Sequence, residues 1–228
     1  MHSRTKQVAA MNTKTTPERC RIVLIAPPAA SAEELVRILA SALSGGDVAS
    51  VLLPPYDVDE AQFQTLAEAA VPVIQNAGAA AIIVGNTQVA GRVKADGLHI
   101  EGPATAIADA VSRFSPKLIV GTGNVKNRHT ALEMGEAQPD YVLFGKIGAD
   151  TKPEAHPRNI ELADWWAGMI EIPCIIQAGN NLESIVDAVS TGAEFIALGA
   201  AIFEGNNPES AIREANRLLD QHAPRFEE

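Results

Sequence analysis

The sequence feature that most constrains the fold is a unit repeated eight times, in which a short apolar β run precedes a helical pattern. The β runs lie at residues 21–26, 48–53, 81–84, 97–100, 117–121, 141–144, 173–177 and 194–199. Short runs that are apolar almost throughout are typical of strands buried on both faces of a parallel sheet. Eight such units predict a single (β/α)₈ TIM barrel of the α/β class.

Helix boundary signals fall between the β runs. Ser31 and Glu34 form a capping-box pattern at the start of the first helix, and Asp59 is placed to cap the second. The second helical pattern contains Pro72, so we expect a kinked helix that ends near residue 76. Later helical patterns cover 89–93, 103–114, 128–134, 160–169, 182–190 and 208–219.

The main competing architecture is a doubly wound sheet. Such sheets more often have about five or six strands and a GxGxxG turn after the first one. Here the first strand is followed by Pro27-Pro28-Ala29-Ala30, which cannot cradle a pyrophosphate in that manner. We therefore expect one barrel domain over 21–223. Residues 1–20 are polar without periodicity, so they are predicted to form a disordered tail, and 224–228 form a short second tail.

The charge and composition of the chain limit the kinds of partner that it can bind and the cell compartment in which we expect it. Acidic residues outnumber basic ones by 28 to 18, a net charge of −10 without a basic cluster, so nucleic acid and anionic membranes are poor partners. Cys20 and Cys174 form no CxxC pattern, and Cys174 lies in an apolar run, which predicts a small buried residue. Because no apolar run reaches the length of a membrane span and no signal-type segment is found, we expect a soluble cytoplasmic protein.

In a (β/α)₈ barrel the functional loops follow the carboxyl ends of the strands, and phosphate commonly binds after the seventh and eighth. The residues of those loops are Ala178, Gly179 and Asn180, and then Gly199 and Ala200. Small residues let backbone N–H groups approach an oxyanion, although one glycine alone is more often a tight turn. Small residues in both loops predict a binding site for a small phosphate ligand.

The sixth β run leads into a glycine-bearing loop that carries two candidate anion contacts, Thr151 and Lys152. A hydroxyl and an ammonium delivered by a buried strand suit an oxyanion ligand. The other interpretation is an ordinary solvated loop, and this stretch alone does not decide between the two.

Few other polar residues lie near the strand ends. The candidates to line a pocket are Leu52, Asn86, Glu101 and Asn124. His99 interrupts an apolar run, which is more typical of a hydrogen-bonded interior histidine than of a catalyst. It is kept as a candidate for catalysis, as is Lys152. The sequence has no clustered Ser/His/Asp or Cys/His set, and we predict no metal site.

Several segments resemble the thiamine phosphate synthases and their relatives. The matching segments are Ala95-Asp96-Gly97-Leu98-His99, residues 140–145 with Thr151-Lys152, and residues 192–203. The family's Thr-x-Thr-Lys motif is one residue shorter here, with Asp150 ahead of Thr151. The resemblance spans 21–205 and implies a (β/α)₈ enzyme that joins a thiazole phosphate to a hydroxymethylpyrimidine pyrophosphate with Mg²⁺, releasing pyrophosphate. It also implies a ligand of the thiamine phosphate or thiazole phosphate type.

The chain departs from this family where the pyrophosphate and the metal would be held. The family's Gln-Leu-Arg-x-Lys stretch after the second strand corresponds to the uncharged Leu52-Leu53-Pro54-Pro55-Tyr56. At the positions of the family's two magnesium aspartates, this chain has Gly85 or Asn86 and then Ala104. At the positions of its two loop serines, the chain has Gly123 and Ala200. Each lost charge contact typically costs about 3 kcal/mol in the transition state, so we do not expect ordinary transferase activity. Mg²⁺ is expected as a cofactor only if that activity is retained.

Three interpretations follow. The chain is a thiamine phosphate synthase with residual or altered activity, or a relative such as the thiazole tautomerases, or a barrel that binds a small phosphate without catalysis. In the tautomerase case His99 would have to replace a histidine that the family carries after the fifth strand. The apolar loop at 52–56 fits either a flat ligand ring or an oligomer surface, which leaves a homodimer open.

Overall fold

A computed structural model describes residues 18–226 and confirms the (β/α)₈ barrel. Eight parallel strands pair in sequence order, and the last pairs with the first to close the ring. The strands are β1 Arg21–Ile25, β2 Ser50–Leu53, β3 Ala80–Val84, β4 Gly97–His99, β5 Ile119–Gly123, β6 Tyr141–Phe144, β7 Cys174–Gln177 and β8 Phe195–Leu198.

Helices follow the strands and form the outer layer of the barrel. They are α1 Ala32–Leu43, α2 Glu60–Asn76, α3 Thr87–Val93, α4 Ala104–Phe114, α5 Arg128–Glu136, α6 Pro157–Met169, α7 Ser184–Val189, α8 Ala200–Phe203 and α9 Pro208–His222. Within residues 18–226, none of these helices is both long and apolar enough to cross a membrane.

The helix starts agree with the capping signals in the sequence. Ser31 Oγ accepts a hydrogen bond from the Glu34 amide at 3.2 Å, and Asp59 Oδ1 accepts one from the Gln62 amide at 2.8 Å. α2 runs through Pro72 to its predicted end.

The start of one helix and the presence of another differ from the predicted pattern. α6 begins at Pro157, three residues before the apolar pattern, because proline suits the first helical turn, and the His156 side chain accepts from the Arg158 amide at 3.2 Å. The four-residue α8 was not predicted, since one turn carries too few residues for a periodic signal.

Alternate strand residues point into the barrel, as the two-residue period of a strand requires. The buried interior residues are Val23, Ile25, Leu52, Ile82, Tyr141, Leu143, Ile175 and Ala197. Their strand neighbours, such as Ile22 and Leu24, belong to a larger cluster that packs against the helices. Strands buried on both faces explain why the β runs are apolar almost throughout.

Two glycines of β5 make room for two interior side chains that carry rings, those of Tyr141 and His99. A β-carbon on Gly121 would overlap the ring of Tyr141, and one on Gly123 would lie 3.0 Å from the ring of His99. Glycine on β5 therefore lets an aromatic ring and an imidazole share the barrel interior.

Both cysteines are fully buried and unpaired. Burial raises the pKa of the Cys20 and Cys174 thiols well above the ordinary cysteine value, so both stay neutral and unreactive. Cys174 thus has the role of a small buried residue that its apolar run predicted.

Both ends of the described chain are fastened to the barrel. Arg19 forms an antiparallel bridge with Arg225, and its guanidinium donates to Asp220 at 2.7 Å. Arg19 and Arg225 lie just outside the predicted domain, 21–223, whose limits stay a prediction. The rest of the predicted N-terminal tail, residues 1–17, and residues 227–228 lie outside the described residues.

We expect Gly121→Ala to lower the free energy of unfolding by about 3 kcal/mol, because the new methyl group displaces the Tyr141 ring from a packed interior. Gly168→Ala in α6 is the matched control, since a β-carbon there meets no atom within 4 Å. The control should be neutral or stabilising by up to about 1 kcal/mol. Urea denaturation of both variants checks this, and equal effects would contradict the packing account.

Candidate functional site

The loops that follow β6, β7 and β8 are joined by hydrogen bonds at the carboxyl end of the barrel. The Lys146 amide donates to Gln177 Oε1 at 2.6 Å. The Asn180 amide donates to the Lys152 carbonyl at 2.8 Å, and the Asn180 side chain donates to the Thr151 carbonyl at 3.3 Å. The residues predicted to hold a phosphate therefore lie together, although they come from three loops.

Asp150, to which sequence reasoning gave no role, makes the link to the third of these loops. Its Oδ2 accepts a hydrogen bond from the Ala200 amide at 2.7 Å, within the short range of charge-assisted bonds. A β-carbon on Gly199 would lie 2.7 Å from the same oxygen, so glycine at 199 admits the carboxylate. The Asp150 carboxylate thus accepts the hydrogen bond of an amide that we predicted would donate to a phosphate oxygen.

The amides of the loop after β7 are also bonded within the chain. The Gly179 amide donates to Ser184 Oγ at 3.0 Å, and the Ala178 amide donates to the Ala197 carbonyl at 3.1 Å. A β-carbon on Gly179 would overlap the Pro153 carbonyl, so the glycine lets the two loops pack closely. These small residues have an observed role in loop packing, and their role in phosphate binding stays a prediction.

Thr151 and Lys152 contact the loop after β7 through their carbonyl groups, and both residues are exposed. The lysine stem is long and flexible, so its ammonium can reach an anion at the mouth of the barrel. The structure places both residues where the sequence expected an anion, and their contact with one stays a prediction.

His99 lies inside the barrel with no exposed surface. Its Nδ1 is 3.0 Å from the Tyr141 hydroxyl, and the two rings stack with centroids 5.7 Å apart. Its Nε2 is buried, has no hydrogen-bond partner among the described residues, and lies 3.8 Å from Glu101 Oε1, beyond hydrogen-bonding distance. One ring nitrogen is therefore fixed by Tyr141, and the other faces the carboxylate without a bond.

Glu101 connects the loops after β4 and β5. Its Oε2 accepts a hydrogen bond from Asn124 Nδ2 at 3.1 Å, and Asn124 adopts the left-handed conformation with φ 59°. The His99 imidazole, the Asn124 amide and the Lys146 ammonium lower the pKa of Glu101, in opposition to its burial. Glu101 is therefore a partly exposed carboxylate that keeps its negative charge at neutral pH.

The other two candidates for a pocket have structural contacts of their own. Leu52 is fully buried in the barrel interior. The Asn86 side chain caps α3 by accepting from the Val89 amide at 2.9 Å, and it donates to Glu60 at 3.2 Å. Their predicted contact with a ligand stays a prediction.

Gln177 is a polar residue at the mouth that sequence reasoning missed. Its side chain is almost fully buried, and its Nε2 has no hydrogen-bond partner among the described residues. An unused buried donor is rare in proteins, because leaving it unsatisfied costs about 1–3 kcal/mol. The signal for it was present in the sequence, since Gln177 alternates with the interior Ile175 and so had to point inward.

Tyr56 lies beside the mouth and borders an apolar cavity. Its hydroxyl donates to the Ala26 carbonyl at 2.6 Å, and its φ of 47° is rare for an aromatic residue. Burial and then the charge of Asp150 raise the pKa of Tyr56 to about 12. The cavity, of about 170 Å³, lies between the loops after β1 and β2 and is lined by Pro27, Pro28, Pro54 and Pro55, among others. The apolar loop at 52–56 therefore borders an apolar space, as a ligand ring would require.

The two positions that the resemblance assigns to magnesium ligands do not fit that ion. The Asn86 side chain is engaged as a helix cap, and Ala104 has no side-chain oxygen. The nearest carboxylate in sequence to Ala104, Glu101, lies beside the cationic Lys146, which opposes a divalent cation there. Across residues 18–226, no three His, Cys, Asp or Glu side chains are grouped to hold a metal.

Comparison with known proteins decides the family. Residues 22–202 match the family model described as thiamine monophosphate synthase. The chain belongs to the thiamine monophosphate synthase family. The resemblance noted in the sequence is therefore confirmed at the level of the family.

Two members of the family match along almost their whole length. The thiamine-phosphate synthase of Rhodospirillum centenum is 31% identical over 202 residues, which is 88% of this chain and 98% of the relative. That of Hyphomonas neptunium is 29% identical over 212 residues, with 90% of this chain and 96% of the relative covered.

Solved structures share the fold. The thiamine phosphate pyrophosphorylase from Pyrococcus furiosus superimposes with a TM-score of 0.74 at 19% identity, covering 91% of this chain and 98% of the other. A 3-hexulose-6-phosphate synthase gives a TM-score of 0.67 at 14% identity, covering 86% and 99%. At such identities the likeness shows the barrel fold alone.

We expect Glu101→Gln to remove a part of the stability that depends on pH. The pKa of Glu101 is lower in the folded chain than the unfolded value of about 4.3, so its ionisation stabilises the fold above that value. This contribution is lost as the pH falls through the folded pKa. Urea denaturation should show that the free energy of unfolding of the wild type exceeds that of the variant near pH 7, and that this difference narrows toward pH 3.

Glu171→Gln controls for the removal of an exposed carboxylate outside the site. If Glu101→Gln lowers the free energy of unfolding by the same amount near pH 7 and near pH 3, the stabilising role of the Glu101 charge is contradicted.

Proposed function

We propose that this member of the thiamine monophosphate synthase family binds a small phosphorylated ligand, of the thiamine phosphate or thiazole phosphate type, at the loops after β7 and β8. The proposal is carried by the 2.7 Å hydrogen bond from the Ala200 amide to the Asp150 carboxylate. An amide that holds a carboxylate oxygen can hold a phosphate oxygen by the same charge-assisted interaction. Lys152, two residues after Asp150 and exposed, would supply a flexible cation to the ligand.

We further propose that the Mg²⁺-dependent transfer of the family is lost or greatly slowed. A departing pyrophosphate develops several negative charges, which need preorganised cations or donors. The loop after β2 instead presents Leu53-Pro54-Pro55-Tyr56, and Ala104 stands at a metal position. Since each such contact is worth about 3 kcal/mol, or about a hundredfold in rate, the loss of several leaves little of the reaction. We therefore propose a protein that binds a ligand of the thiamine phosphate type and has a regulatory role through partners.

A second candidate function is proton transfer of the thiazole tautomerase kind. It is favoured by the Nε2 of His99, which has no hydrogen-bond partner among the described residues and faces Glu101 at 3.8 Å. A histidine with one nitrogen fixed and one open is the usual form of an acid–base group. His99 has no exposed surface, so a ligand has to displace the Glu101 loop to reach it. Binding without catalysis is therefore the better supported function.

The expected partners and location belong to the same proposal. A net charge of −10 supports a partner other than nucleic acid or an anionic membrane. A homodimer and a cytoplasmic location stay predictions from the sequence.

With hydroxymethylpyrimidine pyrophosphate, thiazole phosphate and Mg²⁺, we expect thiamine phosphate formation about 10⁴-fold or more below that of the Rhodospirillum centenum relative, since at least two charge contacts are missing. The relative, assayed in parallel, is the positive control. A rate within about tenfold of the relative would show that other residues of this chain replace the lost contacts.

Calorimetry with thiamine phosphate should give a binding signal that does not depend on Mg²⁺. Lys152→Ala should weaken binding about two- to fivefold, the usual effect of one exposed charge. Lys117→Ala is the matched control, because Lys117 is also exposed but precedes β5, at the opposite end of the barrel. Equal weakening by both variants would point to net charge rather than a local contact. If neither thiamine phosphate nor inorganic phosphate binds, the proposal fails.

A further inference from the structure

We infer that Asp150 is a built-in competitor for the phosphate site. Its carboxylate accepts from the Ala200 amide until a phosphorylated ligand displaces it together with the segment 146–150. This inference rests on the proposed function and adds to it a residue that sets the affinity of the site.

The position of Asp150 is fixed by main-chain contacts on both sides of it. On one side, the Lys146 amide donates to Gln177 Oε1 at 2.6 Å. On the other, the Lys152 carbonyl accepts from the Asn180 amide at 2.8 Å. These contacts hold the carboxylate against Ala200, where the Asp150 oxygen lies 2.7 Å from the amide nitrogen. A charge held in this way competes with a ligand oxyanion without any loss of translational freedom.

An unused donor lies on the strand next to this contact and points independently to a ligand. Gln177 Nε2 is buried and has no hydrogen-bond partner among the described residues, while Oε1 of the same side chain holds Lys146. The backbone of Gln177 pairs in register with Ala197 of β8, two residues before Gly199, and its side chain contacts Lys146 of the same segment as Asp150. A phosphate has more acceptor oxygens than a carboxylate, and it can engage the Ala200 amide and Gln177 Nε2 together.

The segment 146–150 has one apolar contact to lose when it opens, that of the half-buried Ile147 with the barrel interior. Lys146, Gly148 and Ala149 are exposed, as are residues 151–154. Gly148 has φ 75°, a turn conformation that favours glycine, and it lies beside Tyr56. Elements with few buried apolar contacts belong to the least stable part of a protein and open most readily.

The test is calorimetry with inorganic phosphate and thiamine phosphate on wild type, Asp150→Asn and Asp150→Ala. Asn keeps the shape of the side chain and removes the competing charge, so binding should tighten about tenfold or more. Glu154→Gln is the matched control, because Glu154 is an exposed carboxylate near the end of the same loop, and it should change affinity less than about twofold. Thermal unfolding confirms that each variant folds.

Hydrogen exchange gives a second measurement that needs no ligand. The Ala200 amide should exchange faster in Asp150→Ala than in wild type, and phosphate should restore its protection. This outcome would identify the amide for which the carboxylate and the phosphate compete.

The outcomes separate this inference from the function on which it rests. If wild type binds phosphate and the Asp150 variants bind with equal or lower affinity, the competitor role is overturned and the proposed function stands. If only the Asp150 variants bind, the competitor role is supported, and binding by the wild-type chain is not. If no variant binds either ligand, both fail.

Discussion

Closure of eight strands into one ring is the constraint on which the rest of the structure depends. It directs alternate residues of every strand into one narrow interior, where large side chains fit only opposite small ones. On β5 two of the inward positions are Gly121 and Gly123, and the space they leave is taken by Tyr141 and His99. The hydrogen bond between Tyr141 and His99 then leaves His99 Nε2 directed at Glu101. The polar character of the mouth thus follows from a packing requirement lower in the barrel.

The barrel was predictable because its signals are local. Each β run and each capping residue acts within a few positions of the chain, and the order of strands follows once their number is known. The contact of Asp150 with Ala200 could not be predicted, because it joins residues 50 positions apart through a loop whose path no local pattern determines. Gln177 is an intermediate case. Its inward direction follows from alternation with Ile175, but its unpaired Nε2 depends on where the Lys146 amide lies.

The mouth differs in charge from what the family resemblance implies. Where a pyrophosphate would meet an arginine and a lysine, the chain has an apolar proline-bearing loop. Where a ligand oxyanion would meet an amide, the chain supplies the Asp150 carboxylate. The same charge adds to the effect of burial in raising the pKa of Tyr56. Asp150 therefore already accepts from the Ala200 amide, which we propose for a ligand oxyanion. Under that proposal, the site suits a ligand with one phosphate better than one with a pyrophosphate.

A site bonded to its own carboxylate can still select a phosphate. Displacing Asp150 breaks a charge-assisted hydrogen bond worth about 1.5–3 kcal/mol, so a ligand has to provide more than the contact it replaces. A carboxylate ligand would only repeat the bond that Asp150 already makes, and it would also lose translational freedom on binding. A phosphate brings a further oxygen for Gln177 Nε2, and so relieves an unsatisfied donor that costs about 1–3 kcal/mol. Under the proposed competition, preference for phosphate over carboxylate would come from the competing aspartate and the unused Gln177 amide, without a cluster of positive charge.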